Sequence, residues 1–172
     1  MSALWRAAPV PSRDAAPPVA APMTTADIDA VWALETRAYP FPWTRGNFVD
    51  SLAAGYTARL LRSAADARLL GYFVAMAGVD EMHLLNITVT PEARRQGLAR
   101  RMIEDLVEQC RVAGAGRLWL EVRESNAGAR AAYKRLGFVE MGTRPAYYPA
   151  AHGRREGAIV MSLPVEDRAE RA

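Results

Sequence analysis

The chain has one cysteine in 172 residues, Cys110, so no disulfide can close within it and a disulfide-stapled secreted scaffold is excluded. With only two histidines beside that thiol, the side chains that usually build a structural zinc site are missing, and no metal is expected. Charge of one sign is scarce too. Twenty-two basic against nineteen acidic residues leave +3, and despite a pI near 9.3 no basic stretch is dense enough to suggest direct nucleic-acid binding. No apolar run approaches the ~18 residues of a membrane-spanning helix. The N-terminal apolar stretch Ala7 to Val10 is short and set among Pro9, Pro11, Pro17, Pro18 and Pro22, unlike a signal peptide. A soluble cytoplasmic protein that binds no membrane is expected.

What is present suits one folded domain. Hydrophobic residues make up 51% and charged residues 24%, enough apolar surface for a single core at this length. Residues 1–21, rich in alanine and proline, read as a flexible extension that reaches a short first strand around Val19 to Met23. The domain then spans 22–164, and 165–172 is a polar tail.

Thr24 followed by Asp27 is a capping-box-like helix start, with Ile28, Val31, Trp32 and Leu34 at helical spacing behind it. Pro40 and Pro42 end that helix and leave Tyr39 to Trp43 as a stiff aromatic elbow, after which Thr44 caps a short helix to about Leu52. Tyr56 to Arg62, Arg68 to Ala77 and Asp80 to Thr88 read as strands, the middle one apolar enough to be covered on both faces. Leu98, Met102, Leu106 and Cys110 share one helical face, which makes Cys110 a small core residue and not a nucleophile. Leu118, Leu120 and Val122 alternate as in a strand, and Asn126 to Leu136 is a helix closed by Gly137. Phe138 to Gly142 and Ala158 to Leu163 complete a sheet of six to seven strands with about four helices, the aromatic loop Tyr147-Tyr148-Pro149 between them. A strand, a helix and a strand in succession place a parallel pair at the centre of a mixed-sheet α/β domain. His83 shows no partner pattern and reads as structural; His152 reads as part of a solvated turn.

The string Arg94-Arg95-Gln96-Gly97-Leu98-Ala99 lies between a strand and the long helix. A helix N-terminus offers unpaired N–H groups and a partial positive charge, small residues admit a pyrophosphate close to the backbone, and arginines add charge-assisted donors. The spacing is neither a Rossmann fingerprint nor a Walker loop. Alone, it is equally compatible with a surface loop that ends in a helix-start glycine.

Taken with its surroundings, the string resembles motif A of the GNAT acetyltransferases. Asn86-Ile87-Thr88-Val89 before Pro91, then Leu118 to Arg123, Ser125-Asn126 and Ala132 to Phe138 follow in that superfamily's order, and the resemblance spans about Thr24 to Leu163. Phe41-Pro42-Trp43-Thr44, Leu120-Glu121-Val122-Arg123, Tyr147-Tyr148-Pro149 and Ala158 to Met161 resemble the RimI branch, which acetylates the N-terminal alanine of the eighteenth small-subunit ribosomal protein. Two positions depart from the pattern: Ala99 stands for the commoner second glycine, and Gly157 stands where the branch carries aspartate, removing a carboxylate near the last strand.

The resemblance implies the GNAT fold and acetyl-CoA held by Ile87, Thr88 and Val89, by Arg94 to Arg100, and by Asn126 and Tyr133. It implies Glu121 as proton acceptor and Tyr133 as proton donor. An α-amine (~8) loses its proton far more readily than lysine (~10.4), so a carboxylate suffices as base, and a phenol (~10) can serve a departing thiolate (~8.5). Bland alternatives stand beside these roles: a solvated strand glutamate, a core aromatic, a helix-capping asparagine. Unpaired backbone N–H groups near Ile87 to Val89 could polarise the thioester. Trp43, Tyr147 and Tyr148 could wall a peptide groove or form a satellite cluster. The expected acceptor is the N-terminal segment of a ribosomal protein, and the enzyme a monomer or weak dimer. Acetylation of another N-terminus or of a small amine is the competing activity; a non-catalytic acyl-CoA-binding module would not need Glu121 and Tyr133.

Overall fold

The periodicities of the sequence resolve into a seven-stranded sheet in the computed structural model, which describes residues 16–166. In chain order the elements are β1 (Val19–Pro22), α1 (Ile28–Ala38), α2 (Arg45–Ala53), β2 (Thr57–Arg62), β3 (Leu69–Ala77), β4 (Glu81–Val89), α3 (Leu98–Val112), β5 (Arg117–Arg123), α4 (Ala127–Arg135), β6 (Val139–Pro149) and β7 (Arg155–Pro164). The strands lie in the order β1-β2-β3-β4-β5-β7-β6, and only β4 and β5 run parallel. The mixed α/β fold with a central parallel pair is therefore as expected. β1 pairs with β2 from Val19 to Pro22, so the sheet already begins inside the segment read as an extension. The earlier part of that extension and the last six residues of the polar tail lie outside the described residues. No described helix is long and apolar enough to cross a membrane.

Local chemistry explains the helix starts. Thr24 donates from its N–H and its hydroxyl to Asp27 Oδ2 at 2.9 and 2.8 Å, and a short 3-10 turn then feeds α1. The same box recurs at α2, where Asn47 N–H donates to Thr44 Oγ1 at 3.2 Å and Thr44 N–H to Asn47 Oδ1 at 2.8 Å. Asn126 Oδ1 accepts from Ala129 N–H at 3.1 Å and opens α4.

The sheet is buried on both faces where it is apolar. Leu61, Phe73, Leu118, Leu120 and Val122 pack with Met102, Ile103 and Leu106 of α3 and with Phe138. Leu60, Tyr72 and Val74 point the other way and pack with Val31, Leu34 and Phe48 of α1 and α2. Alternation along β2 and β3 thus feeds two cores, which is why β3 has six consecutive buried residues. Cys110 is fully buried with its Sγ 3.7 Å from Met82 Sδ, and burial pushes its thiol up to about 11, the state of an inert core residue. His83 does have a partner: Nε2 lies 2.9 Å from Glu81 Oε1, and its ring stacks on Trp119.

One boundary differs from the sequence reading. Tyr147, Tyr148 and Pro149 belong to β6, which continues to Pro149 through irregularities at Glu140/Gly142 and Arg144/Tyr148. Pro145 and the positive φ of Ala146 read locally as a loop, yet pairing with β7 resumes at Tyr148↔Glu156. The true turn is only Ala150 to Arg154, with His152 in it.

Gly71 marks where α3 meets the sheet. A Cβ there would lie 2.6 Å from the Thr88 carbonyl oxygen and 3.1 Å from Met102 Cε. Gly71→Ala is expected to destabilise the fold by about 1–3 kcal/mol through overpacking, read as a lower urea midpoint at unchanged m-value. An unchanged midpoint would show that β4 yields at the Thr88 carbonyl without cost.

Candidate active site: a gap between two parallel strands

β4 and β5 pair over four positions, Glu81↔Arg117 to Leu84↔Leu120, and then part, although β4 continues to Val89 and β5 to Arg123. The parting coincides with a bulge. Against β3 the register moves from Ala75↔Leu84 to Val74↔Asn86, leaving Leu85 as the extra residue and bending β4 away. Beyond that point the facing edges of both strands lack a strand partner. Tyr39 Oη donates to the Ile87 carbonyl at 2.8 Å and Tyr148 Oη to the Glu121 carbonyl at 3.1 Å, so tyrosine hydroxyls take up part of the unpaired edge.

The gap opens a cavity of about 490 Å³ that reaches from Ala99, Asn126, Ala129 and Tyr133 on the α3/α4 side to Trp43, Phe41, Glu121 and Tyr148 on the other. Ile87 and Val89 form its β4 wall. A second cavity of about 690 Å³ shares Tyr39, Phe41, Val89, Arg123 and Asn126 with it and extends to Thr88, Arg94, Ser125 and Glu156. Most residues singled out in the sequence thus meet around one continuous cleft. Arg95, Gln96, Gly97, Leu98, Arg100 and Tyr147 line neither cavity. Leu98 buries its side chain in the core, Arg100 pairs with Glu104 one helical turn on, and the Thr88 hydroxyl is committed to buried polar partners, so Thr88 and Leu98 have only backbone to offer a ligand.

Glu121 alternates with the buried Leu120 and Val122 and therefore faces the opposite side of the sheet from α3. Its Oε1 lies 2.6 Å from Arg144 Nε, an ion pair that holds the carboxylate from β6. Tyr147, beside that carboxylate, has its hydroxyl held above the usual phenol range by it. Tyr133 leans on Phe138 with ring centroids 5.5 Å apart, and burial pushes its hydroxyl well above the usual range, so it stays protonated. Burial, with Glu121 nearby, likewise pushes Tyr148 up to about 12. The helical face that carries Tyr133 also carries Ala129 and Leu136 against the core, so this ring is at once packed and cleft-lining.

At the head of α3, Gly97 has φ +78° and Arg95 φ +60°. The first helical bond runs from Arg101 N–H to the Gly97 carbonyl at 3.1 Å, so the N–H groups of Leu98, Ala99 and Arg100 precede any helical acceptor. Nothing lies within 4 Å of where a Gly97 Cβ would sit, and Arg94 stands at the cavity lining. The head of α3 is thus open and positively biased, a character that suits an anion.

Three contributors were missed in the sequence. Arg123 places its guanidinium 4.5 Å from the Tyr148 ring centroid and 5.7 Å from that of Phe41, and donates to the Pro149 carbonyl and to Glu156, tying the elbow to β6. Arg144 had no local signal, because its partner lies on another strand. Glu35, buried under the elbow, sits in a helical stripe of apolar residues and reads from sequence as one polar interruption. A Cβ at Gly157 would come within 2.7 Å of the Glu124 carboxylate, the end of an exposed side chain that can turn away.

Comparison with known proteins bears on this geometry. Residues 28–138 match the Acetyltransferase (GNAT) family. The chain is 41% identical over 143 residues to the ribosomal protein bS18-alanine N-acetyltransferase of Salmonella typhimurium, covering 83% of this chain and 95% of that one. It is 38% identical, over the same shares, to the enzyme of that name from Escherichia coli. The crystal structure of the Escherichia coli enzyme superposes with a TM-score of 0.80 at 36% identity, covering 90% of this chain and 98% of that chain. Ard1 from Thermoplasma volcanium, 21% identical with a TM-score of 0.76, shares the fold. A parted parallel pair, a cradle at the head of the following helix and a match over residues 28–138 lead to one conclusion: the chain belongs to the GNAT acetyltransferase family.

Proposed function

We propose that this protein transfers the acetyl group of acetyl-CoA to the N-terminal alanine of ribosomal protein bS18, as a RimI-type enzyme. The observation that carries this reading is 41% identity extending over 95% of the Salmonella relative that bears that name. The site fits the coenzyme. The cradle at Gly97 offers N–H groups and Arg94 to a diphosphate, and the partnerless edge of β4 offers backbone groups to the amides of a pantetheine arm, in the manner of an added strand. Acetyl-CoA, when bound, supplies the activated thioester.

The chain's own residues account for the proton traffic. Glu121 stands in the cleft with its carboxylate oriented by Arg144 and accepts the proton that the acceptor amine must lose. At neutral pH an α-amine with a reference pKa of ~8 is already neutral in roughly one molecule in ten, so the base has little work to do. Tyr133 sits across the cleft with a hydroxyl that burial keeps protonated. A phenol raised this way is a weaker acid than a thiol of ~8.5, so its first service to the departing sulfur is a hydrogen bond to the developing negative charge. Tyr133 would also be the residue from which the coenzyme's leaving sulfur takes its proton. The backbone groups of Ile87 and Val89 face away from β3, and an N–H there is assigned to polarise the thioester carbonyl. Attack is direct: Cys110, the chain's one thiol, is buried in the core. The elbow residues Phe41 and Trp43 and the β6 residue Tyr148 wall the acceptor side.

Mass spectrometry of three peptides tests the acceptor: an Ala-starting bS18 peptide is acetylated, while its N-blocked form and a lysine-only peptide are not. Acetylation of the lysine peptide at a similar rate would overturn the reading. Glu121→Gln and Tyr133→Phe are each expected to lower kcat at least about tenfold, with acetyl-CoA affinity changed much less. Full activity in both variants would remove the assigned pair. Gly97→Glu should abolish acetyl-CoA binding in calorimetry, because it puts a carboxylate in the cradle and forces a side chain onto φ +78°.

A further inference from the structure

Glu35 is the one buried carboxylate among the described residues that the chemistry above does not use, and it is only 2% exposed. No cation pairs with it. Four donors do: Trp43 N–H at 2.9 Å and Asn86 Nδ2 at 3.2 Å on Oε1, and the hydroxyls of Tyr72 and Thr88 (the latter at 3.4 Å) on Oε2. A buried charge held only by neutral donors is costly unless every donor is well placed, so the arrangement constrains whatever supplies them.

Those donors belong to two different parts of the cleft. Pro40 and Pro42 have no N–H to anchor the elbow, and the Trp43 N–H is given to Glu35. The Glu35 backbone carbonyl also takes the Tyr39 N–H at 3.1 Å. Asn86 and Thr88 lie on β4 just past the bulge, where it has left β5. One carboxylate therefore joins the acceptor-side elbow to the free end of β4.

We propose that Glu35 is a positioning residue for the peptide acceptor: by linking the Trp43 amide to Asn86 it fixes the elbow that walls the acceptor groove against the strand that faces the thioester. It acts by reach and hydrogen bonding, and its charge is incidental. This rests on the reading of Trp43 as part of the acceptor wall.

Two substitutions separate reach from charge. Glu35→Gln keeps the length and loses the charge. Its amide oxygen can still accept from Trp43 and Asn86, while its NH2 turns to the Tyr72 and Thr88 hydroxyls, which can rotate to accept. Glu35→Asp keeps the charge and is one methylene shorter, so it cannot span the same donors. The expected result is a peptide KM within about threefold of the parent for Glu35→Gln and raised about tenfold or more for Glu35→Asp, the loss of one or two hydrogen bonds. In Glu35→Asp, kcat and the acetyl-CoA Kd change by less than about threefold, and the Trp43 amide exchanges with deuterium at least about tenfold faster. Three results overturn the proposal: Gln impaired with Asp intact, both variants unchanged, or KM, kcat and coenzyme affinity falling together. Trp43→Ala identifies which premise failed. If it leaves peptide KM unchanged, the acceptor wall is misassigned; if it raises KM while Glu35→Asp does not, the wall stands and the Glu35 link is wrong.

Discussion

The active cleft depends on the loss of strand pairing between β4 and β5 after Leu84↔Leu120. A continued parallel ladder would satisfy the backbone groups of Ile87 and Val89, which face away from β3, and close the gap between the two strands. The extra residue at Leu85 prevents this by bending β4. The exposed edges are costly unless something else pairs with them, and the protein offsets part of that cost with the hydroxyls of Tyr39 and Tyr148.

Around that gap the two cores do different work. The larger one, under α3 and α4, sets the position of Tyr133 and of the helix that Gly97 opens. The smaller one, under α1 and α2, carries the elbow residue Trp43, whose N–H is given to Glu35. β6 reaches over from the far edge and places Tyr148 and Arg144 against β5. Three otherwise separate parts of the chain, the elbow, β5 and β6, are drawn together by the Arg123 guanidinium lying over Phe41 and Tyr148.

Much of this was legible from local pattern. The stripe Leu98, Met102, Leu106, Cys110 and the alternation of Leu118, Leu120 and Val122 gave α3 and β5 directly, because burial on one face leaves a period in the sequence. The caps at Thr24, Thr44 and Asn126 were equally plain. The cleft residues Glu121, Tyr133 and Asn126 came from a family resemblance, and the structure brings them to one cavity. What stayed hidden was pairing between distant positions. Arg144 with Glu121 and Glu35 with Asn86 have no periodic signature. The length of β6 was underestimated because Pro145 and Ala146 read as a turn, whereas tertiary pairing with β7 carries the strand across them. Thr88 and Leu98 illustrate the converse: their place in a motif says nothing about which way a side chain turns, and both turn into the interior.

The two register breaks in β6 have an effect beyond aiming aromatic side chains. β6 is the sheet's outer margin and is eleven residues long, with Val139 and Met141 exposed, a combination that invites a second chain to add on by backbone pairing. Breaks at Glu140/Gly142 and Arg144/Tyr148, with Pro145 between them, leave no long regular run of free N–H and C=O groups for such an intruder to copy. The opposite margin, β1, is four residues long and ends in Pro22. The irregularity that lets Tyr148 reach β5 thereby also guards the fold against sheet-to-sheet aggregation.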